Sequence, residues 1–277
     1  MKIAIIITNY NNTVHTVNLC ESVFNVLNVM TISIDVIVVD NDSNAEEKEL
    51  LLKYVNRYSF LKVILNDSNM GYFKGLNVGL KFIDTSNYDF VVIGNNDLIF
   101  DIDSFKSLES CSQEYPVLCP DITTLDGVHQ NPHVIKPLTV IREIIYDVYF
   151  INYSLSVFMM KIANKFKRFF ERKDYQSYLT SSEIYQGYGA CYILTKKFFD
   201  ICDSLWSPTF LMGEEYFLSR QLSEHGYSLY YDASIKVKHV DHASISSIPE
   251  YKFWLISKDS HKVYRKYVGW FGERNVK

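Results

Sequence analysis

The chain has no CxxC pair, and its five cysteines, Cys20, Cys111, Cys119, Cys191 and Cys202, are odd in number and scattered. Neither a disulfide framework nor a cysteine zinc site is indicated, and a reducing cytosol fits best. Long apolar runs are missing as well. The apolar stretch at residues 3–7 is too short for a signal peptide, and no small-residue cleavage site follows it. No window approaches a transmembrane helix in length. Charge of one sign is not in excess. Lys and Arg number 28 against 32 Asp and Glu, a formal net charge of −4, which argues against a general nucleic-acid binder. Internal repeats, low-complexity segments and flexible linkers are absent.

Apolar and aromatic residues are plentiful. The hydrophobic fraction is 48% and the charged fraction 22%, a balance that folds. At 277 residues the chain makes one large domain or two small ones and buries a substantial core. Twenty-one Tyr and eighteen Phe either fill that core or build surfaces of the kind that meet sugars, lipids or membrane interfaces.

Short β-branched runs at 3–8, 34–39, 61–65 and 90–93 alternate with helical patterns at 14–29, 45–58 and 75–83. This β-α-β-α-β-α-β order predicts a parallel sheet with right-handed crossovers. Beyond it, 104–114 reads as a helix, 117–123 and 190–195 as strands, 217–225 as a helix closing at Gly226, 227–231 and 235–239 as strands, and 251–267 as a last helix. Residues 151–173 differ in character. Ile151, Leu155, Phe158, Met159, Ile162, Phe166, Phe169 and Phe170 share one helical face, flanked by Lys161, Lys165, Arg168 and Arg172. Such a helix either packs on the domain or lies in an anionic bilayer surface. The basic, aromatic stretch 248–277, with Trp254, Trp270 and Phe271, adds to the second reading.

Four segments carry candidate chemistry. Asp40 ends the second strand, where a carboxylate either accepts from a nucleobase or ribose or serves a turn. Asn69-Met-Gly-Tyr-Phe-Lys-Gly-Leu-Asn77 places Gly71 and Gly75 before a helix, which suits close approach to a phosphate or close helix–strand packing. It is neither a GxGxxG nor a Walker pattern. The apolar strand 90–93 breaks into Gly94-Asn-Asn-Asp97, an oxygen-rich end suited to a hard divalent cation or to a turn. Glu214 and Glu215 open a helix, where they either complement its dipole or supply a general base. His239 closes a strand as a metal ligand or a structural imidazole.

Taken in order, these stretches resemble the family 2 glycosyltransferases of the GT-A fold, particularly bacterial rhamnosyltransferase-like members. The matching stretches are 5–11, 38–43, 69–77, 94–100, 189–194, 210–222 and 237–244, spanning roughly 3–245. The resemblance implies an α/β GT-A fold with a Rossmann-like, mostly parallel central sheet flanked by helices. Residues 1–245 would form that domain, with a nucleotide-sugar half at 1–100 and an acceptor half at 101–245. The acceptor half would include an amphipathic helical insertion at about 138–180, and 246–277 would add a C-terminal helical extension.

It also implies roles. Thr8, Tyr10 and Asp40 would hold the nucleoside, and Asn69, Gly71, Gly75 and Asn77 would lie by the ribose and phosphates. Asn95, Asn96 and Asp97 stand at the family's DxD position, the two amides toward the nucleotide sugar and Asp97 on the metal. His239 would be the second metal ligand. Glu215, with Glu214 beside it, would be the catalytic base, and Gly189 and Ala190 would border the acceptor. The amides depart from the family's usual first aspartate, and Glu-Glu replaces the commoner Glu-Asp or Asp-Asp.

The implied reaction is inverting transfer from a UDP- or dTDP-sugar to a saccharide or lipid-linked saccharide, aided by Mg2+ or Mn2+. The setting would be bacterial surface polysaccharide assembly in the cytoplasm, with an anionic membrane surface as a further partner and without nucleic acid. Two other classes stay open. A nucleotidyltransferase should carry a Gly- and Arg-rich loop after the first strand, and Asn9-Tyr-Asn-Asn12 has neither residue. A non-catalytic sugar-nucleotide-binding protein would bind donor without forming product.

Overall fold

Strands β1 (Lys2–Asn9), β2 (Ser33–Asp40), β3 (Leu61–Leu65) and β4 (Phe90–Asn95) pair in parallel in the order β3-β2-β1-β4. The computed structural model describes residues 1–165, 176–240 and 250–268. The apolar runs have a simple cause, since β1 is buried on both faces. Ile3, Ile5 and Ile7 pack with Leu19 and Val23 of helix α1 (Thr13–Leu27) and with Leu51 of α2 (Ala45–Val55). Ala4 and Ile6 pack on the other face with Phe73, Leu76 and Leu80 of α3 (Tyr72–Phe82). A Cβ at Gly79 would lie 2.3 Å from Ile6 Cγ2, so α3 seats on the sheet only with glycine there. The chain runs outward from β1 to β2 and β3, then returns to the other side of β1 as β4. Ligands of open α/β sheets sit at such a reversal, outside the strands' carboxyl ends. Asn9 is in register with Asp40, and Thr8 with Asn95, at that edge.

The expected parallel alternation therefore holds through β4, and the rest of the sheet is mixed. It comprises β5 (Leu98–Ile99), β6 (Val117–Thr124), β7 (Ser182–Ile184), β8 (Cys191–Thr195) and β9 (Leu229–His239). Strand β8 runs antiparallel to β4 and β6, whereas β9 is parallel to β6 and antiparallel to β5 and β7. The two strands expected at 227–231 and 235–239 are one strand, with a register shift opposite Pro120 and Asp121.

The helix expected at 104–114 is only α4 (Ile102–Lys106) and a 3-10 turn. Serine hydroxyls compete for the backbone there, with Ser107 Oγ donating to Ser234 O and Ser104 Oγ to Lys236 O.

The helix expected at 151–173 is α6 (Tyr153–Lys165) as far as the described residues go, and a further helix, α5 (Val140–Tyr149), precedes it. Asn152 stands between them, its side chain accepting from Leu155 N at 2.9 Å as an N-cap does. Phe166, Arg168, Phe169, Phe170 and Arg172 lie outside the described residues. Helices α7 (Lys196–Ile201), α8 (Glu214–Ser223) and α9 (Glu250–Tyr267) follow.

Helix α9 is docked on α5. Arg265 Nη1 donates to Glu143 Oε2 at 2.6 Å, Tyr264 Oη to Glu143 Oε1 at 2.7 Å, and His261 Nε2 lies 2.8 Å from Asp147 Oδ1. Trp254 is buried against Phe150 and Tyr153, so it is a packing residue rather than part of an exposed aromatic face. Trp270 and Phe271 lie outside the described residues. Among the described residues no helix is long and apolar enough to cross a membrane.

Candidate active site

The carboxyl ends of β1, β2 and β4 form the floor. Asp40 is fully buried and its oxygens are taken. Oδ1 accepts from Ser43 N at 2.9 Å, and Oδ2 accepts from Ser43 Oγ at 2.6 Å and Asn9 Nδ2 at 2.9 Å. Asn96 is also buried, and its Nδ2 donates to Asn9 Oδ1, Asn12 O and Thr16 Oγ1 at 2.9–3.0 Å. Both side chains thus brace the loop between β1 and α1. Thr8 is half-buried and Tyr10 is 50% exposed on the rim.

Beside the floor, the 69–75 loop enters α3. Asn69 Oδ1 accepts from Gly71 N, and Asn41 Nδ2 donates to Gly71 O, both at 3.0 Å. Gly71 has φ +87°, and a Cβ there would stand 2.1 Å from Phe210 O. A Cβ at Gly75 would stand 2.7 Å from Thr8 Cγ2. These glycines bring the N-terminus of α3, a favourable place for an anion, against the floor and the 210 loop. Asn77 is set apart from this group. Its amide clamps Leu205, donating to Leu205 O and accepting from Leu205 N at 2.8 Å each.

Asp97 and His239 meet at the other side of β4, although 142 positions separate them. Antiparallel pairing of Leu98 with His239 places them together. Both are buried, with His239 Nε2 3.1 Å from Asp97 Oδ1 and 3.4 Å from Asn95 Nδ2. His239 Nδ1 lies 2.8 Å from Gln130 Oε1. A carboxylate and an imidazole suit Mn2+ or Mg2+, and two ligands on adjacent corners of an octahedron with bonds of about 2.1 Å are about 3 Å apart. The pair therefore fits a divalent cation. Among the described residues no third His, Cys, Asp or Glu joins it.

Gly189 and Ala190 tie this edge to the acid pair. Ala190 O accepts from Asn95 N at 2.9 Å. A Cβ at Gly189 would meet Glu215 Oε1 at 2.6 Å, so only glycine lets the two approach. Tyr72 Oη donates to Gly189 O at 2.8 Å, fixing the turn from α3. Gly213, with φ +87°, turns the chain into α8 and sends Glu214 and Glu215 different ways. Glu214 is buried, and its Oε1 has no hydrogen-bond partner among the described residues. Burial pushes its carboxyl up to about 8, the neighbouring Glu215 charge adding to the shift. Glu215 is half-buried and its carboxyl is raised too by burial, while backbone hydrogen bonds at Glu215 and Gly189 pull it back. Burial also holds the Tyr72 hydroxyl far above its ordinary range, with Glu214, Glu215 and Asp97 among the charges that add to it.

Sequence reasoning missed Asn9, Tyr72 and Gln130. Asn9 and Tyr72 lie inside the quoted motifs, so position offered a signal for them. Gln130 stands in no motif, and only the folded hairpin brings it to His239.

Residues 4–127 match the family described as Glycosyl transferase family 2. Comparison with curated protein sequences returns no match. Among solved structures, the chain is similar to the mannosyltransferase PcManGT from Pyrobaculum calidifontis in complex with GDP-Man and Mn2+, with TM-score 0.55 and 12% identity over 94% of this chain and 61% of that one. It is similar to GalNAc-T7 with UDP, GalNAc and Mn2+, with TM-score 0.54 and 14% identity over 86% of this chain and 44% of that one. It is similar also to S. aureus TarS 1-349 in complex with UDP-GlcNAc, with TM-score 0.51 and 16% identity over 99% of this chain and 74% of that one. The chain thus spans well under two thirds of the first two, and at these identities the likeness is one of fold. The family match covers residues 4–127, under half of the chain, and the solved structures share the fold of the whole sheet, so what the comparisons show is an α/β fold of the GT-A kind.

Proposed function

We propose that the chain catalyses inverting transfer of a hexosyl or rhamnosyl group from a UDP- or dTDP-sugar to a hydroxyl of a saccharide or lipid-linked saccharide. The observation that carries this reading is the link through Gly189 and Ala190, which sets the Glu214–Glu215 pair beside the edge that bears Asp97 and His239. The relatives solved with GDP-Man and Mn2+, with UDP and Mn2+, and with UDP-GlcNAc support a nucleotide-sugar donor and a divalent cation.

Asp97 and His239 would hold the cation, which when bound supplies positive charge against a diphosphate leaving group. Tyr10, Thr8 and the amides at the start of α3 would receive the nucleotide. Glu215 Oε1, at the Gly189 turn, accepts the proton of the acceptor hydroxyl as that oxygen attacks the anomeric carbon. A raised carboxyl pKa suits a base working near neutral pH, because a stronger base is a better proton acceptor once ionised. Glu214, buried behind it, acts as an uncharged neighbour below about pH 8 and leaves Glu215 free to carry the negative charge.

Residues 1–245 are assigned to the catalytic domain and 246–277 to an extension that braces it. A role in bacterial surface polysaccharide assembly, such as O-antigen or capsule, at the cytoplasmic face of a membrane agrees with the α5–α6 surface. Ile141 is 71% exposed, and Ile151 and Phe158 are 60% exposed, with Lys161 and Lys165 exposed on α6. Such a surface should bind anionic vesicles, and less strongly at high salt; no sedimentation with vesicles at low salt would remove the membrane from the account. The catalytic reading is tested by a screen of UDP- and dTDP-sugars for nucleoside-diphosphate release, with and without Mn2+ or Mg2+. Product formed with one donor supports it. Donor binding without product under any acceptor would make this a binding protein.

A further inference from the structure

We infer that Gln130 is a positioning residue for the cation seat, locking the His239 ring so that its Nε2 lone pair is presented beside Asp97. The inference rests on the proposed role of Asp97 and His239 as metal ligands. It starts from the hairpin that follows β6. Thr124 N donates to Val128 O and Gly127 N to Thr124 O, so the chain reverses at once. Gln130 N then donates to Ile122 O, which fixes the residue in an antiparallel return. Asn131 anchors the next position from both ends of its amide. Its Nδ2 donates to Pro120 O and its Oδ1 accepts from Tyr188 N, each at 2.8 Å. The backbone under Gln130 is therefore held on both sides, and its side chain meets the imidazole from a rigid base.

Gln130 Oε1 stands 2.8 Å from His239 Nδ1. An amide oxygen only accepts, so this contact is made when Nδ1 carries the proton, which leaves the lone pair of the neutral ring on Nε2. That nitrogen lies 3.1 Å from a carboxylate oxygen of Asp97. Two acceptors held at this distance repel unless a positive centre joins them. In the opposite tautomer Nε2–H would donate to Asp97 and fill the seat with a proton. The Gln130 contact selects against that state. Partners of ligating histidines commonly act in this way, orienting the ring and setting the nitrogen that binds.

The test uses the metal-free full chain and 15N-labelled histidine, the His239 signals being assigned by their loss in His239→Asn. With the ring neutral, wild-type His239 is expected to be protonated on Nδ1. Gln130→Leu should lose that bias and bind Mn2+ alone about 10–100-fold more weakly. Gln130→Glu keeps an acceptor and should retain both properties. An Nε2–H ring in the wild type overturns the proposal, as does an unchanged ring and unchanged Mn2+ affinity in Gln130→Leu. A wild type that binds no Mn2+ overturns the cation seat itself, an outcome told apart from a failure of Gln130 because it appears without any substitution at that residue.

Discussion

Asp40 and Glu214 are both buried carboxylates, but their surroundings differ. Asp40 sits in a closed network in which Ser43 and Asn9 supply three donors, and Asn9 in turn meets Asn96 and Thr16. Glu214 is buried with one oxygen unpartnered among the described residues and a second carboxylate as its sequence neighbour. A satisfied polar network rigidifies a fold, whereas an unsatisfied acid in a dry place lowers stability and is retained where chemistry uses it. On the proposed reading, the floor under β1, β2 and β4 serves architecture, and the edge around Asp97, His239 and α8 serves the reaction.

The largest expected effect lies on the reactive side. Asp97→Ala removes the carboxylate that lies 3.1 Å from His239 Nε2. Transfer should fall by about 10²–10³-fold, as when an electrostatic stabiliser is deleted, together with Mn2+ binding, while the circular-dichroism spectrum stays that of the wild type. Undiminished activity in the variant, or in thoroughly chelated wild type, would take the cation out of the mechanism.

The floor should respond in the opposite sense. Asp40→Ala leaves the buried donors of Ser43 and Asn9 without their acceptor, and should cost about 2–4 kcal/mol of unfolding free energy. Urea denaturation reads this directly. A variant of full stability that has merely lost donor affinity would move Asp40 from the architecture to the binding site.

A smaller effect concerns pH. The Glu214 carboxyl is raised from 4.5 to about 8 in the folded chain. The folded state keeps a proton that the unfolded chain has released, so stability falls as pH rises from the ordinary carboxylate range and is fully reduced above about 8. Glu214→Gln removes that penalty. Its melting temperature should exceed the wild type's by several degrees above about pH 8 and by little near pH 4. An advantage that grows toward acid pH would show that Glu214 is ionised and well solvated.

Much of the architectural side was legible in the sequence. The runs at 3–8, 34–39 and 90–93 read as strands because both faces of the sheet are buried and alternation gives way to continuous apolar residues. Asp97 and His239 were visible as polar residues closing such runs. Their meeting rests on β5, a two-residue strand too short to leave a pattern. Gln130 was hidden because it acts across 109 positions of chain. The start of α6 was legible to within two residues, Tyr153 against the 151 read from the apolar repeat, and the Asn152 cap sets it. The closed partners of Asp40 and Asn77 were invisible, since a polar residue at a strand end or in a helix looks the same whether it faces a ligand or another loop.

The most direct measurement is kcat for Glu215→Gln and Glu214→Gln on the same donor and acceptor. Glu215 stands half-exposed at the Gly189 turn, and Glu214 is buried behind it. Glu215→Gln keeps the size of the side chain but accepts no proton, so kcat should fall by about 10²–10⁴-fold with donor affinity little changed. Glu214→Gln should lose far less. The reverse ranking, with Glu214→Gln inactive and Glu215→Gln near wild type, would contradict the assignment of the base.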